Sequence, residues 1–514
     1  MARSQKPIRW WLLFVIIALA ILATVVIWIS DAGHRQDKIL QTSMVVILAT
    51  FLGILWLLGF SRLRWRIRLI TFAIVVCGVF LSANLFQFKG FSGDLMPILE
   101  WRWREKPSTF RQDPGSTFNT EVSVTDYPQF LGQNRNGVVT GIKLNLDWET
   151  HPPALVWRQP VGAGWSGFAV VGNSAITQEQ EGDWEKVVCY ELRTGEIKWS
   201  HQDQARYYAP PAGLGPRATP TISGHRVYTV GSTGILNCLD FETGDPLWTT
   251  HIFEDNEAEP PPWGVSISPL IFDELVVVSA GGAVAYHRET GEIVWTGYRA
   301  QSGYSSPLVT TLLGTEQIII FNQGLITAHE PLTGKLLWKQ PWVETYAECV
   351  AQPVPISDDT LLASTGYGAG AKLYQLLRNP TGEFDVSIIW ETINLKAKFT
   401  NIIYYKGYLY GLDDGIFACI NPADGTRQWK RGRYGHGQTL LISDVLLVTT
   451  ESGDVVLVEP NPERHIEHAR FAALTGKTWN TPAIAGNYLL VRNDREAACY
   501  QLPVIDINAD ANTK

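Results

Sequence analysis

The sequence is poor in charged residues, which make up 18% of its 514 residues, and it contains only 3 methionines. Since soluble domains usually carry about 25% charged residues, part of the chain is expected to lie outside water. Hydrophobic residues make up 46% of the chain, which excludes a disordered protein. The 6 cysteines never stand next to each other.

Acidic and basic residues are unevenly distributed. Residues 1–104 carry 12 Lys/Arg and 4 Asp/Glu, a net charge of +8, whereas residues 105–514 have a net charge of −16. An acidic part of this size argues against nucleic acid as a partner and favours basic or neutral partners.

Three apolar runs explain the scarcity of charge, at residues 11–29, 39–60 and 67–88, with Arg68 as their one charged residue. Each run has about 20 residues, enough to cross a hydrocarbon core of roughly 30 Å. A cleaved signal peptide fits the first run poorly, because the run is too long and no small-x-small site follows it. Three runs so close together also argue against buried core helices. Residues 1–88 are therefore predicted to form an anchor of three transmembrane helices.

The loop between the second and third runs is strongly basic, with Arg62, Arg64, Arg66 and Arg68. Basic loops face the cytoplasm. The N-terminus is therefore predicted to be cytoplasmic and everything after residue 89 extracytoplasmic, with the anchor in the inner membrane. Residues 89–125 are predicted to be a linker whose first part, around Trp101 and Trp103, either lies on the membrane surface or is partly ordered. Residues 506–514 are predicted to be a disordered tail.

From residue 126 to 505 the chain repeats a short unit that ends in tryptophan. Thr194-Gly195-Glu196-Ile197-Lys198-Trp199 has close copies ending at Trp248, Trp295 and Trp338, and looser ones ending at Trp390 and Trp429. Successive tryptophans from Trp157 are 42, 49, 47, 43, 52 and 39 residues apart. This period, with four short β-like runs per unit, is typical of propeller blades.

Eight such units can be counted, and the last lacks its own closing strand. Residues 154–157, Ala-Leu-Val-Trp, can supply that strand and so remove the open edge of the sheet. The fold is therefore predicted to be an all-β eight-bladed β-propeller with four-stranded blades, closed by an N-terminal strand and preceded by three transmembrane α-helices. Seven blades is the alternative.

The repeated x-x-D-x-x-T-G-x-x-x-W unit resembles the pyrroloquinoline-quinone-like repeat of the quinoprotein alcohol dehydrogenase-like β-propellers. The stretches 127–137 and 215–220 resemble a bacterial, often membrane-attached branch. In this superfamily the repeated tryptophan docks between blades, a role that the resemblance implies for Trp157, Trp199, Trp248, Trp295, Trp338, Trp390 and Trp429. The periodicity of these residues by itself also favours packing over binding.

Two functions are implied by this resemblance. Some members are dehydrogenases that hold pyrroloquinoline quinone and calcium, whereas others, such as the propeller lipoprotein of the outer-membrane β-barrel assembly machinery, bind partners without a cofactor. The blades here are short and no cluster of acidic ligands for calcium is evident. A cofactor-free scaffold that binds envelope proteins is therefore predicted, with a membrane-bound quinoprotein dehydrogenase of alcohols or sugars as the alternative.

No catalytic or metal-binding motif is supported by its context. The G-x-G-x-x-G at residues 162–167 precedes a β-like run rather than a helix, which excludes a dinucleotide site. His465 and His468 lie in a charged outer segment typical of a solvated loop. Cys189, Cys238, Cys419 and Cys499 occupy equivalent third-strand positions that point the same way, so no disulfide is expected.

The loops between blades vary most and share one end of a propeller, while the Thr-Gly turns lie at the other. These loops carry aromatic residues and an arginine, which are typical anchors of interfaces. The candidate binding residues are Trp165, Tyr207, Tyr208, Arg217, Trp263, Tyr304 and Trp479. The alternative is that these aromatic residues only seal the mouth of the ring.

Overall fold

The computed structural model describes residues 7–30, 34–103, 109–111, 125–342 and 348–505. The chain divides into two compact units, Met1–Lys106 and Pro107–Lys514. Much of the predicted linker and the predicted tail, 506–514, lie outside the described residues.

The N-terminal unit contains three long helices: α1 (Trp10–Ile29), α2 (Arg35–Leu55), which continues into a π-helical turn (Trp56–Phe60), and α3 (Trp65–Leu85). All three are long and apolar enough to cross a membrane. Their apolar side chains are mostly exposed, as in Phe14, Ile47 and Phe80, which are 65%, 69% and 70% exposed. A helix that is apolar all round, without a protein core to cover it, is typical of a membrane span.

A short β-hairpin follows α3, made of β1 (Phe86–Phe91) and β2 (Pro97–Trp101). The third apolar run therefore ends as a helix at Leu85, three residues before the predicted limit. The reason is the period of the sequence, because Phe86-Gln87-Phe88-Lys89 alternates apolar and polar residues as a strand does. No strand was expected in this segment.

The C-terminal unit is an eight-bladed propeller of antiparallel four-stranded sheets, which confirms the predicted fold and blade number. The strands of the first four blades are, for blade 1, Ala169–Val171, Ser174–Glu181, Trp184–Glu191 and Ile197–Asp203; for blade 2, Thr221–Ser223, Arg226–Val230, Ile235–Asp240 and Pro246–His251; for blade 3, Leu270–Phe272, Leu275–Ser279, Gly282–His287 and Ile293–Arg299; and for blade 4, Leu308–Leu312, Thr315–Asn322, Leu325–His329 and Leu336–Pro341.

The other four blades follow the same order. Their strands are, for blade 5, Val354–Pro355, Thr360–Thr365, Gly370–Arg378 and Phe384–Thr392; for blade 6, Ile403–Tyr405, Tyr408–Asp413, Ile416–Ile420 and Arg427–Arg433; for blade 7, Gln438–Ile442, Val445–Thr449, Asp454–Val458 and Glu467–Ala472; and for blade 8, Ala483–Ala485, Tyr488–Arg492, Glu496–Gln501 and the N-terminal strand Ala154–Pro160.

The ring closes as predicted. Ala154–Pro160 pairs antiparallel with Glu496–Gln501, with Trp157 opposite Cys499. Phe110–Arg111 adds a further short strand outside it, and Val138–Val139 pairs in parallel with the inner strand of blade 7. Three strands from the N-terminal part of this unit thus lie in its last two blades.

A tryptophan on the fourth strand of a blade docks on the next blade in six of the eight positions. The indole N–H donates to a main-chain carbonyl in the turn before the next blade's fourth strand, over 2.8 to 3.0 Å. The pairs are Trp157 with Leu192, Trp199 with Phe241, Trp248 with Arg288, Trp295 with Pro331, Trp390 with Pro422 and Trp429 with Asn461. Trp338 instead donates to Gln317 Oε1 of its own blade, over 2.7 Å.

The Thr-Gly turn requires glycine for two reasons, its backbone conformation and the lack of space for a side chain. Gly195 and Gly244 have φ angles of +71° and +76°, a conformation that L side chains rarely adopt. A Cβ at Gly195 would also lie 2.7 Å from Trp157 Cδ2, and one at Gly244 would lie 2.4 Å from Trp199 Cε3. The indole therefore packs flat on the turn because the turn has no side chain there.

The carboxylate that precedes the turn fixes its shape. Asp240 Oδ1 accepts the backbone N–H groups of Glu242 and Thr243, both over 2.9 Å, and Glu330 Oε2 accepts that of Thr333 over 2.7 Å. These hydrogen bonds satisfy donors that the tight turn leaves free. The repeated acidic, Thr, Gly and Trp residues are thus one structural unit.

The third-strand cysteines lie beside this unit. Cys189, Cys238, Cys419 and Cys499 stand directly opposite Trp199, Trp248, Trp429 and Trp157 in the sheets. All four are buried free thiols. A small apolar side chain fits opposite a large indole, which explains why cysteine recurs there.

Replacing Trp157 tests the docking unit at the point of ring closure. Trp157 is fully buried, so Trp157→Ala should lower the free energy of unfolding by about 3–5 kcal/mol. The change should appear as a lower denaturation midpoint in chemical unfolding of the purified protein. Trp184→Ala is the matched control, since Trp184 is 39% exposed and should leave the midpoint unchanged. Equal stability of the two variants would contradict the docking role.

Candidate binding face at the mouth of the ring

The inter-blade loops form one end of the ring, which we call the mouth face. Because each blade is an antiparallel meander, the loop after its fourth strand lies at the end opposite to its Thr-Gly turn. The mouth face consists of residues 161–168, 204–220, 252–269, 300–307, 342, 348–353, 393–402, 434–437 and 473–482.

The mouth face rests on a hydrogen-bonded inner wall. The Gly167 N–H donates to Thr219 Oγ1 (3.3 Å), the Thr219 N–H to Ser268 Oγ (3.0 Å), and the Ser268 N–H to Ser306 Oγ (2.9 Å). These equivalent positions in blades 1 to 4 link each blade to the next at the start of its inner strand. The loops therefore project from a fixed base.

Aromatic side chains from blades 1, 6 and 8 meet at the mouth. The ring centroid of Trp479 lies 4.9 Å from that of Trp165 and 5.0 Å from that of Phe399. Lys477 Nζ lies 4.0 Å from the Trp479 centroid and 4.6 Å from that of Trp165, within cation–π distance. Burial lowers the pKa of Lys477 to about 8. Trp165 is only 8% exposed, so on this side the aromatic residues seal the mouth.

Arg217 braces the loop that carries it. Its guanidinium donates to the carbonyls of Gly215 and Gly213 over 2.5 and 3.1 Å and to Ser232 Oγ over 3.3 Å. The guanidinium carbon also lies 5.0 Å from the Tyr207 ring centroid. Burial lowers the pKa of Arg217 to about 10. Most of the hydrogen-bonding capacity of Arg217 is thus used inside the loop.

Trp263 ties its own loop, between blades 2 and 3, to the loops that precede blades 4 and 5. Its indole N–H donates to Glu348 Oε1 (3.0 Å), and its backbone N–H donates to Tyr304 Oη (3.2 Å). The Tyr207 hydroxyl donates to the Pro262 carbonyl over 2.6 Å. Burial raises the pKa of Glu348 and that of Tyr304.

The seven candidate residues thus divide by exposure. Trp165 and Tyr304 are buried and build the mouth, while Tyr207, Arg217, Trp263 and Trp479 are half-buried. Tyr208 is 60% exposed. Of the seven candidates, Tyr208 therefore offers the most accessible side chain, and the four half-buried residues offer exposed edges.

Sequence reasoning missed the lysines of this face. Lys398 is only 3% exposed, and its Nζ lies 4.5 Å from the Tyr367 ring centroid and 5.4 Å from that of Phe399. Lys477 packs in the same way near Trp479. A signal was present, because in the loops before blades 6 and 8 a lysine stands one or two residues before an aromatic residue.

The stretch 127–137, which the sequence marked only by its resemblance to a bacterial branch, belongs to a segment that crosses the ring along its inner strands. This crossing segment, residues 127–139, forms hydrogen bonds with blades 1, 2, 3, 5 and 7. The partners are Tyr127 with Val170, Pro128 with Ile222, Arg135 with Ser268, Pro269 and Gln352, and Gly137 with Leu441. The Arg135 side chain is 2% exposed, and burial lowers its pKa to about 9. The crossing segment therefore lies against the inner strands at the centre of the ring.

The described residues offer no obvious metal site. In that part of the chain, no three His, Cys, Asp or Glu side chains come together as a group able to hold a metal ion. His465 accepts or donates a hydrogen bond with the Tyr434 hydroxyl (2.9 Å), and His468 pairs with Glu459 (3.2 Å). The two imidazoles thus have different partners.

Comparison with known proteins places the ring in a family. Residues 116–260 and 185–431 match the family described as outer membrane protein assembly factor BamB. The chain belongs to this family. Over 335 residues it is 24% identical to the outer membrane protein assembly factor BamB of Burkholderia pseudomallei, covering 59% of this chain and 76% of that protein.

Two solved structures show the same fold. The crystal structure of BamB from Moraxella catarrhalis has a TM-score of 0.51 and 18% identity, covering 68% of this chain and all of that one. Quinohemoprotein alcohol dehydrogenase from Comamonas testosteroni has a TM-score of 0.52 and 13% identity, covering 73% and 80%. An assembly factor and an enzyme thus share the architecture, so the function must be argued from the site.

A buried carboxyl supports the Arg217 loop. Glu185 is 4% exposed, and its Oε2 accepts the Ser232 N–H over 3.0 Å. Burial raises the pKa of Glu185 to about 7, against the opposing effects of the Ser232 hydrogen bonds and the Arg217 charge. The folded state therefore binds this proton more tightly than the unfolded state does.

This pKa predicts a loss of stability as the pH rises. The stabilising contribution of protonated Glu185 is complete below pH 4.5 and is lost as the pH rises through about 7. Glu185→Gln should weaken the dependence of the free energy of unfolding on pH, measured with denaturant between pH 5 and 8. Glu242→Gln, at an exposed carboxyl, should keep the wild-type profile. A Glu185→Gln profile identical to wild type would contradict the assignment.

Proposed function

We propose that this protein is a membrane-anchored, extracytoplasmic propeller that acts as a protein-interaction or assembly scaffold at the cell envelope, without a cofactor. The observation that carries the proposal is the family match, which spans most of the ring and includes the loops of the mouth face in blades 1 to 6. The relative from Burkholderia pseudomallei is named as an outer membrane protein assembly factor.

The architecture supports a scaffold in physical terms. A ring of eight blades, linked by tryptophan docking outside and hydrogen bonds inside, holds its loops in place before a partner arrives. Preformed loops reduce the ordering entropy that binding would otherwise cost. The net charge of −16 on residues 105–514 favours basic or neutral partners.

The anchor would place this scaffold at the inner membrane. The three helices are candidates for spans, and the four arginines at 62–68 favour a cytoplasmic second loop. An odd number of spans then puts the propeller on the extracytoplasmic side.

A reporter fused after residue 514 tests the orientation. An enzyme that is active only outside the cytoplasm should be active in this fusion, because three spans carry the C-terminus across the membrane. A reporter that is active only in the cytoplasm serves as the control in the matching fusion. Activity of the cytoplasmic reporter would contradict the proposed topology.

The accessible aromatic residues of the mouth face are proposed as the partner contact. Tyr208→Ala and Trp263→Ala should each reduce the amount of the partners recovered with the full-length protein from detergent extracts. The melting temperature of the Tyr208 variant should stay at the wild-type value, since its side chain is exposed. Leu332→Ala is the control, because Leu332 is 56% exposed in a Thr-Gly turn at the opposite end. Equal recovery by all variants would exclude this face as the contact.

The enzyme alternative requires a calcium site as well as the quinone. Calcium needs six to eight oxygen ligands, several of them carboxylates, and the described residues bring together no acidic group of this kind. Substrate-dependent dye reduction by the purified protein with pyrroloquinoline quinone, calcium and an alcohol or sugar would nevertheless establish the enzyme and overturn the scaffold.

A further inference from the structure

The hairpin that follows α3 has two chemically different faces. Phe86 pairs with Trp101, Gln87 with Glu100, and Phe88 with Leu99. Paired residues of antiparallel strands point to the same side of the sheet, and neighbours along a strand point to opposite sides. One face therefore carries Phe86, Phe88, Leu99 and Trp101, which we call the apolar hairpin face.

This apolar hairpin face is uncovered. Its residues Phe86, Phe88, Leu99 and Trp101 are 38%, 52%, 59% and 47% exposed. The Phe86 and Trp101 rings contact edge to face, with centroids 5.4 Å apart. The other side carries Gln87 and Glu100 together with one apolar residue, Ile98. Such a separation within so small a sheet points to a boundary between an apolar and an aqueous phase.

The hairpin is held to the helices at both ends. At the open end, the Arg102 backbone N–H donates to the Leu85 carbonyl (2.9 Å) and its guanidinium donates to the Ala83 carbonyl (3.0 Å). At the turn, Arg35 Nε pairs with Asp94 Oδ2 over 2.8 Å, which joins the turn to the start of α2. The apolar hairpin face is thus fixed relative to the last turn of α3.

We propose that the apolar hairpin face binds the interfacial layer of the membrane, at the boundary between acyl chains and headgroups on the side where α3 ends. This inference rests on the proposed membrane anchoring. The 21 residues of α3 span about 31 Å, so a helix that crosses the core reaches the boundary where β1 begins. The exposed apolar surface of α3 then continues directly into Phe86 and Phe88.

The chemistry of the hairpin selects the interface over the hydrocarbon core. A two-stranded sheet has two edges of unpaired backbone groups, which water and headgroups can satisfy but acyl chains cannot. Tryptophan and other aromatic rings prefer this layer, where an apolar body and a polar group are both accommodated. The hairpin therefore acts as a shallow second contact that sets how the chain leaves the membrane.

Site-directed fluorescence in lipid nanodiscs tests the proposal on the full-length protein. In a Cys77→Ser background the five remaining cysteines are buried, so a single new cysteine can be labelled with an environment-sensitive dye. The label is placed at Phe88→Cys or Leu99→Cys on the apolar hairpin face and, as the matched control, at Gln87→Cys on the opposite face. Quenching by lipids with a spin label near the headgroup is compared with quenching by iodide in water.

Labels at positions 88 and 99 should show blue-shifted emission and lose fluorescence with the spin-labelled lipid, whereas the label at 87 should lose fluorescence with iodide. Quenching of positions 88 and 99 by iodide alone would overturn the proposal. Protection from both quenchers would overturn it as well, because the face would then be covered by protein.

A label at Phe80→Cys, within α3, separates this inference from the proposed anchoring. Phe80 is 70% exposed and should be quenched by a spin label deep in the acyl chains. If position 80 is quenched and positions 88 and 99 are not, the hairpin proposal alone fails. If position 80 is not quenched either, the membrane anchoring itself is wrong.

Discussion

The contact between a tryptophan and the backbone of the next blade's turn is the interaction on which the propeller depends. It joins neighbouring sheets through one indole hydrogen bond and one flat stacking surface, and it needs a glycine at φ near +70° to admit the ring. An acidic side chain that shapes the turn and a small residue opposite the indole complete the unit. Repeating this unit around the ring sets the spacing of the blades, and the spacing sets where the loops of the mouth face stand.

The loops of the mouth face are held in place by the ring of docked blades. The aromatic residues, lysines and Arg217 of this face pack against each other across several blades. Most of these side chains therefore have a structural role and are not free to bind a ligand. Of the seven candidate residues, Tyr208 stays the most accessible, and four others keep exposed edges. Such a surface suits contact with a protein better than enclosure of a small molecule.

Much of the architecture could be predicted from the sequence, because it is encoded in a local repeat. The tryptophan period and the missing last strand were enough to predict eight blades and the closing strand. The exception, Trp338, lies before the blade whose turn is stretched, and there the indole bonds to Gln317 instead. The irregular turn of blade 5 in the sequence thus coincides with the one tryptophan of the repeat that does not dock on the next blade.

The features that the sequence did not reveal depend on contacts between distant residues. Lys398 and Lys477 each stand near an aromatic residue in the sequence, but only the ring brings Tyr367 close to Lys398 and Trp165 close to Lys477. The crossing segment has no periodicity, since each of its residues meets a different blade. The first residues of the hairpin after α3 were hidden at the end of an apolar run, where the count of hydrophobic residues masked their alternation.

The closing strand has a consequence for the order of folding. Arg158, on that strand, donates a hydrogen bond to Tyr500, 342 residues later in the chain. Contacts of such long sequence separation form late, because the entropy of closing the loop must be overcome first. During synthesis, the first strand of the propeller therefore emerges long before its partner exists. Until blade 8 is complete, the first strand and the unfinished last blade both expose open sheet edges. In this interval the chain is most vulnerable to pairing with strands of other chains.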